Sequence, residues 1–427
     1  MSIALKIYRG LSPLLSRGAN LAGPLSAKLA AGIRGRRGLM ARLEAAAPAV
    51  GGGVWFHVTS VGEYEQARPV IAAIRTEHPT VPIVVTHFSP SGYDYALTRP
   101  CADFHDYLPF DHPGDMARLV GAWRPRLLVF VKFDCWPNQV LAAADAGVPV
   151  VLLAGSLQPG SARLRGGARG LFREIFNRFA HIGVCTPEDR KRFTDRLGVA
   201  APVSVTGDTR VEQVILRYEE AVAGPTAARL RALGGRLLIL GSTWPPDEKL
   251  WLPIMAELLE TFSDLRIVLT PHEPHPHRLA GLERALDSRG ITHRRLSALM
   301  EGDDAAAPQV RVVLTDSIGV LAEIYRAGHL TYVGGSFTTG VHNTMEPAVA
   351  SMPVLFGPEI RNAEEAGLLV RRGAGFLLRR PREALATASM LLADPARLEA
   401  CGRAARQVVL DQRGATERSL AVIRPYL

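Results

Sequence analysis

Short apolar runs rich in β-branched residues alternate with helix-patterned stretches from residue 54 onward. Each run is apolar throughout, as is typical of strands in a parallel sheet with helices on both faces. Alternating βα units in two blocks predict an α/β chain with two doubly wound, Rossmann-like domains. The first block holds VWFHV, PIVVTH, RLLVFV, VPVVLLAG, HIGVC and VSVTG, and the second holds RLLILG, LRIVLT, VRVVLT, HLTYVGG, PVLFG and GAGFLL.

The boundary between the two blocks lies between VTGD and LGGRLLILG, within 207–235. A chain of 427 residues is long enough for two such domains. Two tandem sheets of this kind make a cleft, and ligands bind outside the carboxyl ends of their strands. We predict an arm over 1–45, domains over 46–210 and 236–400, a linker or helix over 211–235, and a C-terminal helix over 401–427 that packs back on the N-terminal domain.

The positive charge is concentrated in the first 43 residues. The net charge is +9, and residues 1–43 supply +8 with no acidic residue. Its cations alternate with Ile, Leu and Tyr, which favours contact with an anionic membrane surface and argues against nucleic-acid binding. It contains no apolar run of about 20 residues, so a spanning helix is not predicted. A mitochondrial transit peptide and a solvated helix remain alternatives.

Two other patterns exclude whole classes of protein. The four cysteines, at 101, 135, 185 and 401, form no CxxC pair, which argues against a disulfide scaffold or a zinc ribbon. There is no D-x-D pair and no G-x-G-x-x-G after a strand, which disfavours cation-held nucleotides and hydride transfer. We therefore predict no metal and no cofactor.

Polar residues follow the strands of the first block. Ser60 and Glu63 follow VWFHV with the spacing of a helix-capping box, but a carboxylate there is also where α/β enzymes place reactive groups. The local sequence leaves both roles open. Asp134, within KFDCWPN, follows a later strand, and Arg210, within VTGDTR, follows the last one.

The second block carries further candidates. In GSTWPPDE, Gly241 would let a ligand approach, while Ser242 could bind an anion or cap a helix. In PHEPHPHR, prolines separate the histidines, so His272 is expected to contact a ligand rather than a metal. In DSIG, Asp316 or Ser317 would cap a helix. The glycine-rich loop GGSFTTG leads to Asn343 and Glu346, where a helix start favours a phosphate and a ribose over simple capping.

Seven of these stretches occur in one order: HVTSVGE, KFDCWPN, VTGDTR, GSTWPPDE, TPHEP, DSIG and GGSFTTGVHNTMEPA. Together they resemble the 3-deoxy-D-manno-octulosonic acid (Kdo) transferases, which have the two-domain GT-B fold. The resemblance covers about residues 50–365. It implies an inverting, metal-independent transfer of Kdo from CMP-Kdo to a lipid A precursor (lipid IVA) in lipopolysaccharide biosynthesis. It also implies a location at the cytoplasmic face of the inner membrane, an acceptor-binding N-terminal domain and a CMP-binding C-terminal domain.

The resemblance also implies roles for individual residues. Glu63 corresponds to the general base, and Asp134 and Arg210 to groups that stabilise the transition state. The nucleotide-binding positions of the family correspond to Pro271, His272, Ile318, Gly319, Val320, Asn343, Thr344, Met345 and Glu346, to which we add Ser242.

Five positions depart from the family pattern. Lys132 replaces an acid, Asp134 is a shortened glutamate, and Arg210 replaces a lysine. His272 replaces an arginine that contacts CMP, and Val320 replaces a glutamate. The last two favour an alternative, a GT-B transferase with another nucleotide-sugar donor. A non-enzymatic protein that binds the membrane surface is a third hypothesis.

Overall fold

The computed structural model describes residues 1–21, 27–132, 134–220, 224–302, 309–338 and 340–427. Parts of the predicted arm, the KFDCWPN motif, the linker and the glycine-rich loop fall on 22–26, 133, 221–223 and 339, outside the described residues. The chain divides into two compact units. The first comprises Met1–Gln213 with Gly414–Leu427, and the second comprises Val214–Arg413.

The first unit contains one parallel sheet of seven strands in the order β3-β2-β1-β4-β5-β6-β7. Its strands are β1 Val54–Val58, β2 Ile83–His87, β3 Phe104–Tyr107, β4 Leu127–Val131, β5 Val150–Gly155, β6 His181–Val184 and β7 Val203–Val205. Its helices are α1 Ile3–Leu21, α2 Ala27–Gly35, α3 Leu39–Ala45, α4 Ala47–Val50, α5 Val61–Glu77, α6 Pro90–Thr98, α7 Pro113–Trp123, α8 Pro137–Asp145, α9 Gly166–Phe176 and α10 Pro187–Lys191, followed by a π-helical turn at Arg192–Leu197. Helix α11, Arg210–Glu220, crosses from the first unit into the second.

The second unit contains another seven-stranded parallel sheet, in the order β10-β11-β9-β8-β12-β13-β14. Its strands are β8 Arg236–Thr243, β9 Leu265–Pro271, β10 His293–Arg295, β11 Val312–Leu314, β12 Leu330–Val333, β13 Val354–Phe356 and β14 Gly375–Leu377. Its helices are α12 Pro225–Ala232, α13 Pro245–Thr261, α14 Pro276–Asp287, α15 Leu296–Glu301, α16 Leu321–Tyr325, α17 Met345–Val349, α18 Glu364–Arg371, α19 Pro381–Ala393 and α20 Pro395–Leu410.

Both faces of each sheet are buried, which explains the uninterrupted apolar runs. Along β1, Trp55 points into one apolar cluster, while Val54 and Phe56 point into the cluster on the opposite face. Leu237 and Leu238 divide in the same way between the two faces of the second sheet. The predicted α/β class with two doubly wound parallel sheets is confirmed.

The sequence analysis missed one strand in each sheet. These strands, β3 and β10, have the polar sequences FHDY and HRR. Each lies at the edge of its sheet and pairs with a single neighbour. Edge strands are less buried, so they need not be apolar, and the pattern that reveals the central strands is lost.

The predicted C-terminal segment, 401–427, is divided between the units. Helix α20 belongs to the second unit, and α21, Ala415–Ile423, belongs to the first. Leu420 and Ile423 of α21 are buried against Tyr64 and Ile71 of α5. Arg418 Nε donates to the carbonyl of Thr206 at 2.9 Å. The chain therefore returns to its first unit at the end.

Replacing Leu420 by alanine should lower the free energy of unfolding of the first unit by about 2–4 kcal/mol, because a fully buried leucine leaves a cavity. Denaturant titration followed by tryptophan fluorescence measures this change. Leu97→Ala is the matched control, since Leu97 is exposed in the same unit, and it should change stability by less than about 0.5 kcal/mol. Equal effects of the two substitutions would show that α21 is not packed on α5.

Candidate active site

Two carboxylates follow adjacent strands at the point where the first sheet reverses its order. Strands β1 and β4 are neighbours although they are not consecutive in the chain. Glu63 lies in the first turn of α5, directly after β1, and Asp134 follows β4. In doubly wound sheets this switch point is where ligands bind. Topology alone therefore places both predicted residues at one edge of the sheet.

Thr59 connects the two carboxylates. Its backbone N–H donates to Glu63 Oε2 at 2.5 Å, and its hydroxyl oxygen lies 2.8 Å from the same atom. That hydroxyl oxygen is also 3.0 Å from Asp134 Oδ2. Only one half of the predicted capping box between Ser60 and Glu63 is formed. Ser60 Oγ does accept the N–H of Glu63, at 3.3 Å, but the carboxylate of Glu63 bonds to Thr59.

Burial brings the pKa of Glu63 close to neutral pH. Its side chain is almost fully enclosed, with 3% exposed, and this desolvation raises its pKa to about 7. The backbone N–H of Thr59, which donates to the carboxylate, acts in the opposite direction and lowers the pKa. The charge of Asp134 raises the pKa further, and that of Lys132 lowers it. Lys132 itself lies in the left-handed region, at φ 72°.

Arg163 is a site residue that the sequence analysis missed. Its Nη2 donates to Asp134 Oδ1 at 2.8 Å, and its guanidinium lies 5.1 Å from the centre of the Phe172 ring. Arg163 belongs to a short 3₁₀ turn, Ala162–Leu164, after β5. One arginine in an arginine-rich segment gives no signal in the sequence. Only the fold shows that it pairs with Asp134.

Arg210 is linked to the helix that carries Glu63. Its Nη2 bonds to Asp208 Oδ2 at 2.5 Å. Gln66, which lies three residues after Glu63 on α5, donates to Asp208 Oδ1 at 3.0 Å. Arg210 is therefore a cation that an acid neighbour holds in place, at the end of β7.

A chain of hydrogen bonds holds the loop of Asp134 against β1. Trp136 Nε1 donates to His57 Nε2 at 2.9 Å, so that nitrogen is unprotonated and Nδ1 carries the proton. His57 Nδ1 in turn lies 3.0 Å from Thr86 Oγ1. Burial lowers the pKa of His57 to about 3, so the ring stays neutral. His57 therefore fixes Trp136, two residues after Asp134. The sequence analysis did not single out His57.

Three aromatic rings stack at the corresponding switch point of the second sheet, between β8 and β12. His272 stacks on His342 with ring centres 4.3 Å apart, and Trp244 stacks on His272 at 4.8 Å. Trp244 Nε1 donates to His342 Nε2 at 2.8 Å. Partial burial lowers the pKa of both histidines, to about 4 for His342. The column is therefore uncharged at neutral pH.

Buried Asp247 ties the loops around this column together. It accepts from the N–H of Trp244 at 2.8 Å, from the N–H of Gly335 at 3.0 Å and from the hydroxyl of Tyr332 at 2.6 Å. Gly335 has φ +96°, and a Cβ there would lie 2.5 Å from a backbone oxygen. Asp247 of the GSTWPPDE stretch thus positions the glycine-rich loop.

The remaining predicted nucleotide residues lie around the same edge. Ser242 has φ 51°, in a bulge of β8, and Pro271 ends β9. Ile318 is 84% exposed, Gly319 has φ +88°, and Val320 packs against an apolar cluster.

The 343–346 turn has its own pattern of bonds. Asn343 Oδ1 accepts the N–H of Met345 at 3.0 Å, and Thr344 is buried. Glu346 Oε1 lies 3.9 Å from Arg217 Nη1. The helix predicted near Asn343 begins at Met345 and runs for five residues.

One smaller expectation was wrong, and another holds for a different helix. The space beside Gly241 is occupied by Tyr325, whose hydroxyl would lie 2.2 Å from a Cβ at that position, so this glycine accommodates a side chain. The cap expected from Asp316 falls on a different helix: its Oδ1 accepts the backbone N–H of Ser297 in the first turn of α15. Helix α16, which follows Asp316 in the chain, begins at Leu321 with Val320 as its N-cap.

Within the described ranges, no group of three or more His, Cys, Asp or Glu side chains could hold a metal ion.

Solved structures share this fold. The UDP-GlcNAc 2-epimerase of Neisseria meningitidis, bound to UDP-GlcNAc, aligns with a TM-score of 0.64 at 12% identity, over 87% of this chain and 99% of that one. A glycosyltransferase from Rickettsia africae aligns with a TM-score of 0.60 at 8% identity, over 88% of this chain and 98% of that one. At these identities the similarity shows the fold alone. It confirms the GT-B type of fold.

Sequence relatives define the family. The family model for 3-deoxy-D-manno-octulosonic-acid transferase (kdotransferase) matches residues 31–213. The 3-deoxy-D-manno-octulosonic acid transferase of Bordetella pertussis is 31% identical over 98% of this chain and 97% of that protein. The one from Chlamydophila psittaci is 30% identical over 78% of this chain and 75% of that protein. The chain belongs to the Kdo transferase family and is a glycosyltransferase, which confirms the resemblance that its seven motifs indicated.

Glu63 should titrate near pH 7 in the free protein, because burial disfavours its charge. Infrared difference spectra of the protonated carboxyl group between pH 5 and 9 measure the midpoint. Glu63→Gln should remove that band, whereas Glu65→Gln, on the same helix, should leave it. Absence of a midpoint in this range would place the pKa of Glu63 near the ordinary value of 4.5 and show that the carboxylate is solvated.

Proposed function

We propose that the protein transfers Kdo from CMP-Kdo to a lipid A precursor with inversion, and that Glu63 is the general base. The observation that carries this proposal is the buried carboxylate of Glu63, with its pKa raised to about 7, held beside Asp134. A sugar hydroxyl is a very weak acid, so a base must take its proton during attack. A base whose pKa lies near the working pH is the most effective.

The bonds of this reaction balance without a further reactant. The acceptor oxygen forms a bond to the anomeric carbon of Kdo, and its proton passes to Glu63. The bond from that carbon to the phosphate oxygen breaks, and CMP leaves with the electron pair. The transition state resembles an oxocarbenium ion, which the carboxylate of Asp134 can stabilise. Arg210 is the proposed partner of negative charge that develops on the phosphate.

The donor is proposed to bind at the edge of the second sheet, around Ser242, Pro271, His272, the 318–320 segment and the 343–346 turn. The stacked rings of Trp244, His272 and His342 support a site for a flat ring, because His272 is exposed to solvent and aromatic side chains stack on flat rings. Trp244, His272 and His342 come after β8, β9 and β12, which are neighbours in the central part of the sheet.

One observation favours a second candidate, a GT-B transferase with another nucleotide-sugar donor. The family's CMP-contacting arginine is His272 here, and its lowered pKa leaves it neutral. The family's glutamate is Val320, which packs against apolar side chains. Both changes remove a charge from the side where the donor would be recognised.

The N-terminal arm is proposed to contact an anionic membrane surface at the cytoplasmic face of the inner membrane. No described helix is long and apolar enough to cross a bilayer. Helix α1 buries Leu5 and Ser12 against the first unit, and its opposite side carries exposed apolar side chains. These are Ile3, Ile7, Leu11 and Leu14.

Helix α9 packs beside α1 and adds positive charge. Ser2 N–H donates to Glu174 Oε2 at 2.7 Å, which ties the start of α1 to α9. Arg165, Arg169 and Arg173 are spaced four residues apart on or beside α9 and are all exposed. Cations beside an apolar helix face suit anionic headgroups and the phosphates of a lipid A precursor.

Glu63→Gln should lower kcat for CMP release by about 10²–10⁴-fold, as loss of a general base does, while CMP still raises the melting temperature of the variant. The assay combines purified protein, CMP-Kdo and lipid IVA. Glu65→Gln is the matched control and should keep most of the activity. In the wild type, kcat/KM should rise with pH through about 7, because only ionised Glu63 accepts a proton.

The outcomes separate the candidates. Unchanged turnover in Glu63→Gln would remove Glu63 from the role of base. Absence of CMP release, together with a melting-temperature increase from UDP or GDP but not CMP, would favour the second candidate. Binding to liposomes without binding any nucleotide would favour a non-enzymatic protein.

Replacing Ile7 and Leu14 together by serine should weaken binding to phosphatidylglycerol-containing vesicles by at least about tenfold, since each side chain contributes on the order of 1–3 kcal/mol when buried in lipid. Vesicle flotation at two salt concentrations measures the partition. Leu97→Ser, an exposed leucine on α6, is the control and should bind like the wild type. Equal binding by the double variant would exclude the apolar side of α1 as the contact surface.

A further inference from the structure

The hydroxyl of Thr59 has more carboxylate neighbours than it has protons. Its oxygen lies 2.9 and 2.8 Å from the two carboxylate oxygens of Glu63 and 3.0 Å from Asp134 Oδ2. A hydroxyl donates one hydrogen bond, and ionised carboxylates only accept. With both carboxylates ionised, Thr59 can therefore bond to one residue of the pair, and the contact with the other is unsatisfied.

One added proton gives each residue of the pair a hydrogen bond with the hydroxyl of Thr59. If Glu63 carries the proton, its carboxyl group donates to Thr59 Oγ1, and the hydroxyl of Thr59 turns to donate to Asp134 Oδ2. The proton belongs on Glu63 for two reasons. Glu63 is nearly fully buried, whereas the side chain of Asp134 is 33% exposed and is paired with Arg163 at 2.8 Å. Burial favours the neutral form, and the ion pair favours the charged one.

We propose that Thr59 is a positioning residue of the reaction, whose hydroxyl donates to Glu63 while Glu63 is ionised and to Asp134 once Glu63 has taken the acceptor's proton. This inference rests on the proposed function, in which Glu63 is the base. In the step itself, the O–H bond of the acceptor breaks and an O–H bond forms on Glu63. Thr59 keeps its own proton and only rotates, and Asp134 stays ionised.

The switch has a consequence for both partners. Once Glu63 is protonated, its carboxyl group donates a hydrogen bond to Thr59 Oγ1. This bond stabilises the product of proton transfer. At the same moment Asp134 gains a donated hydrogen bond. The other charges acting on the pair come from Lys132, beside Glu63, and Arg163, beside Asp134. A substitution at Thr59 leaves those charged side chains in place.

The test compares Thr59→Val, which has nearly the same shape but no hydroxyl, with Thr59→Ser, which keeps the hydroxyl. Valine removes one hydrogen bond from the ionised state of Glu63, the bond from the hydroxyl to the carboxylate. It removes two from the protonated state, the bond from the Glu63 carboxyl group to the hydroxyl oxygen and the bond from the hydroxyl to ionised Asp134. The acid limb of kcat/KM should therefore move to lower pH by on the order of one unit. Thr59→Ser should keep the wild-type limb. Thermal unfolding checks that both variants are folded.

A fixed donor that serves Glu63 alone gives the opposite result, because its loss destabilises only the ionised form and moves the limb to higher pH. A shift in that direction, or no shift, would overturn the proposal. The infrared titration of Glu63 gives the same midpoint without turnover, so a variant with no activity still tests it, and Thr59→Ala serves if the valine variant does not fold. If Glu63→Gln retains transfer, the proposed role of Glu63 as the base fails, and the switch fails with it. If it abolishes transfer while Thr59→Val leaves the limb unmoved, only the switch fails.

Discussion

Parallel pairing is the constraint on which both halves of the molecule depend. A parallel strand can be reached only by a crossover, so every strand of a sheet ends at the same edge and delivers its following loop there. In the first sheet the order reverses between β1 and β4, and in the second between β8 and β12. The carboxylates of Glu63 and Asp134 and the ring column beginning at Trp244 follow these central strands. Their positions are thus consequences of topology.

Burial then sets the chemistry at each edge. In the first unit burial raises the pKa of Glu63 to about 7, so this acid is partly neutral at pH 7. Burial also lowers the pKa of His57 to about 3, so this imidazole is fully neutral. The two groups have different uses. His57 is held between Trp136 Nε1, which donates to it, and Thr86 Oγ1, and it thereby fixes the position of Trp136. The carboxylate of Glu63 bonds to Thr59, and its pKa near 7 lets it change its protonation state around neutral pH, as the proposed base must.

At the edge of the second sheet, neutral rings stand where the first sheet has carboxylates. Asp247 is buried and accepts hydrogen bonds from three donors, two of them in the loops after β8 and β12, so it organises those loops. What faces the edge is a stack of neutral rings where the family has a cation. Such a surface recognises a ligand by shape and stacking more than by charge. Under the proposed function, the departures at His272 and Val320 concern recognition of the donor, while Glu63 and Asp134 keep the two carboxylates that the proposed reaction uses.

The sequence by itself determined the α/β class, twelve of the fourteen described strands, the family and the positions of Glu63 and Asp134. These follow from local patterns, because a buried strand must be apolar and a motif is contiguous. Tertiary structure alone decided the rest. The edge strands β3 and β10 are polar and carry no periodic signal, and the pairing of Arg163 with Asp134 joins residues 29 positions apart in the chain. The role of Gly241 and the bond between Trp136 and His57 likewise depend on distant partners. A contact between segments that meet only in the folded chain leaves no trace in the local sequence.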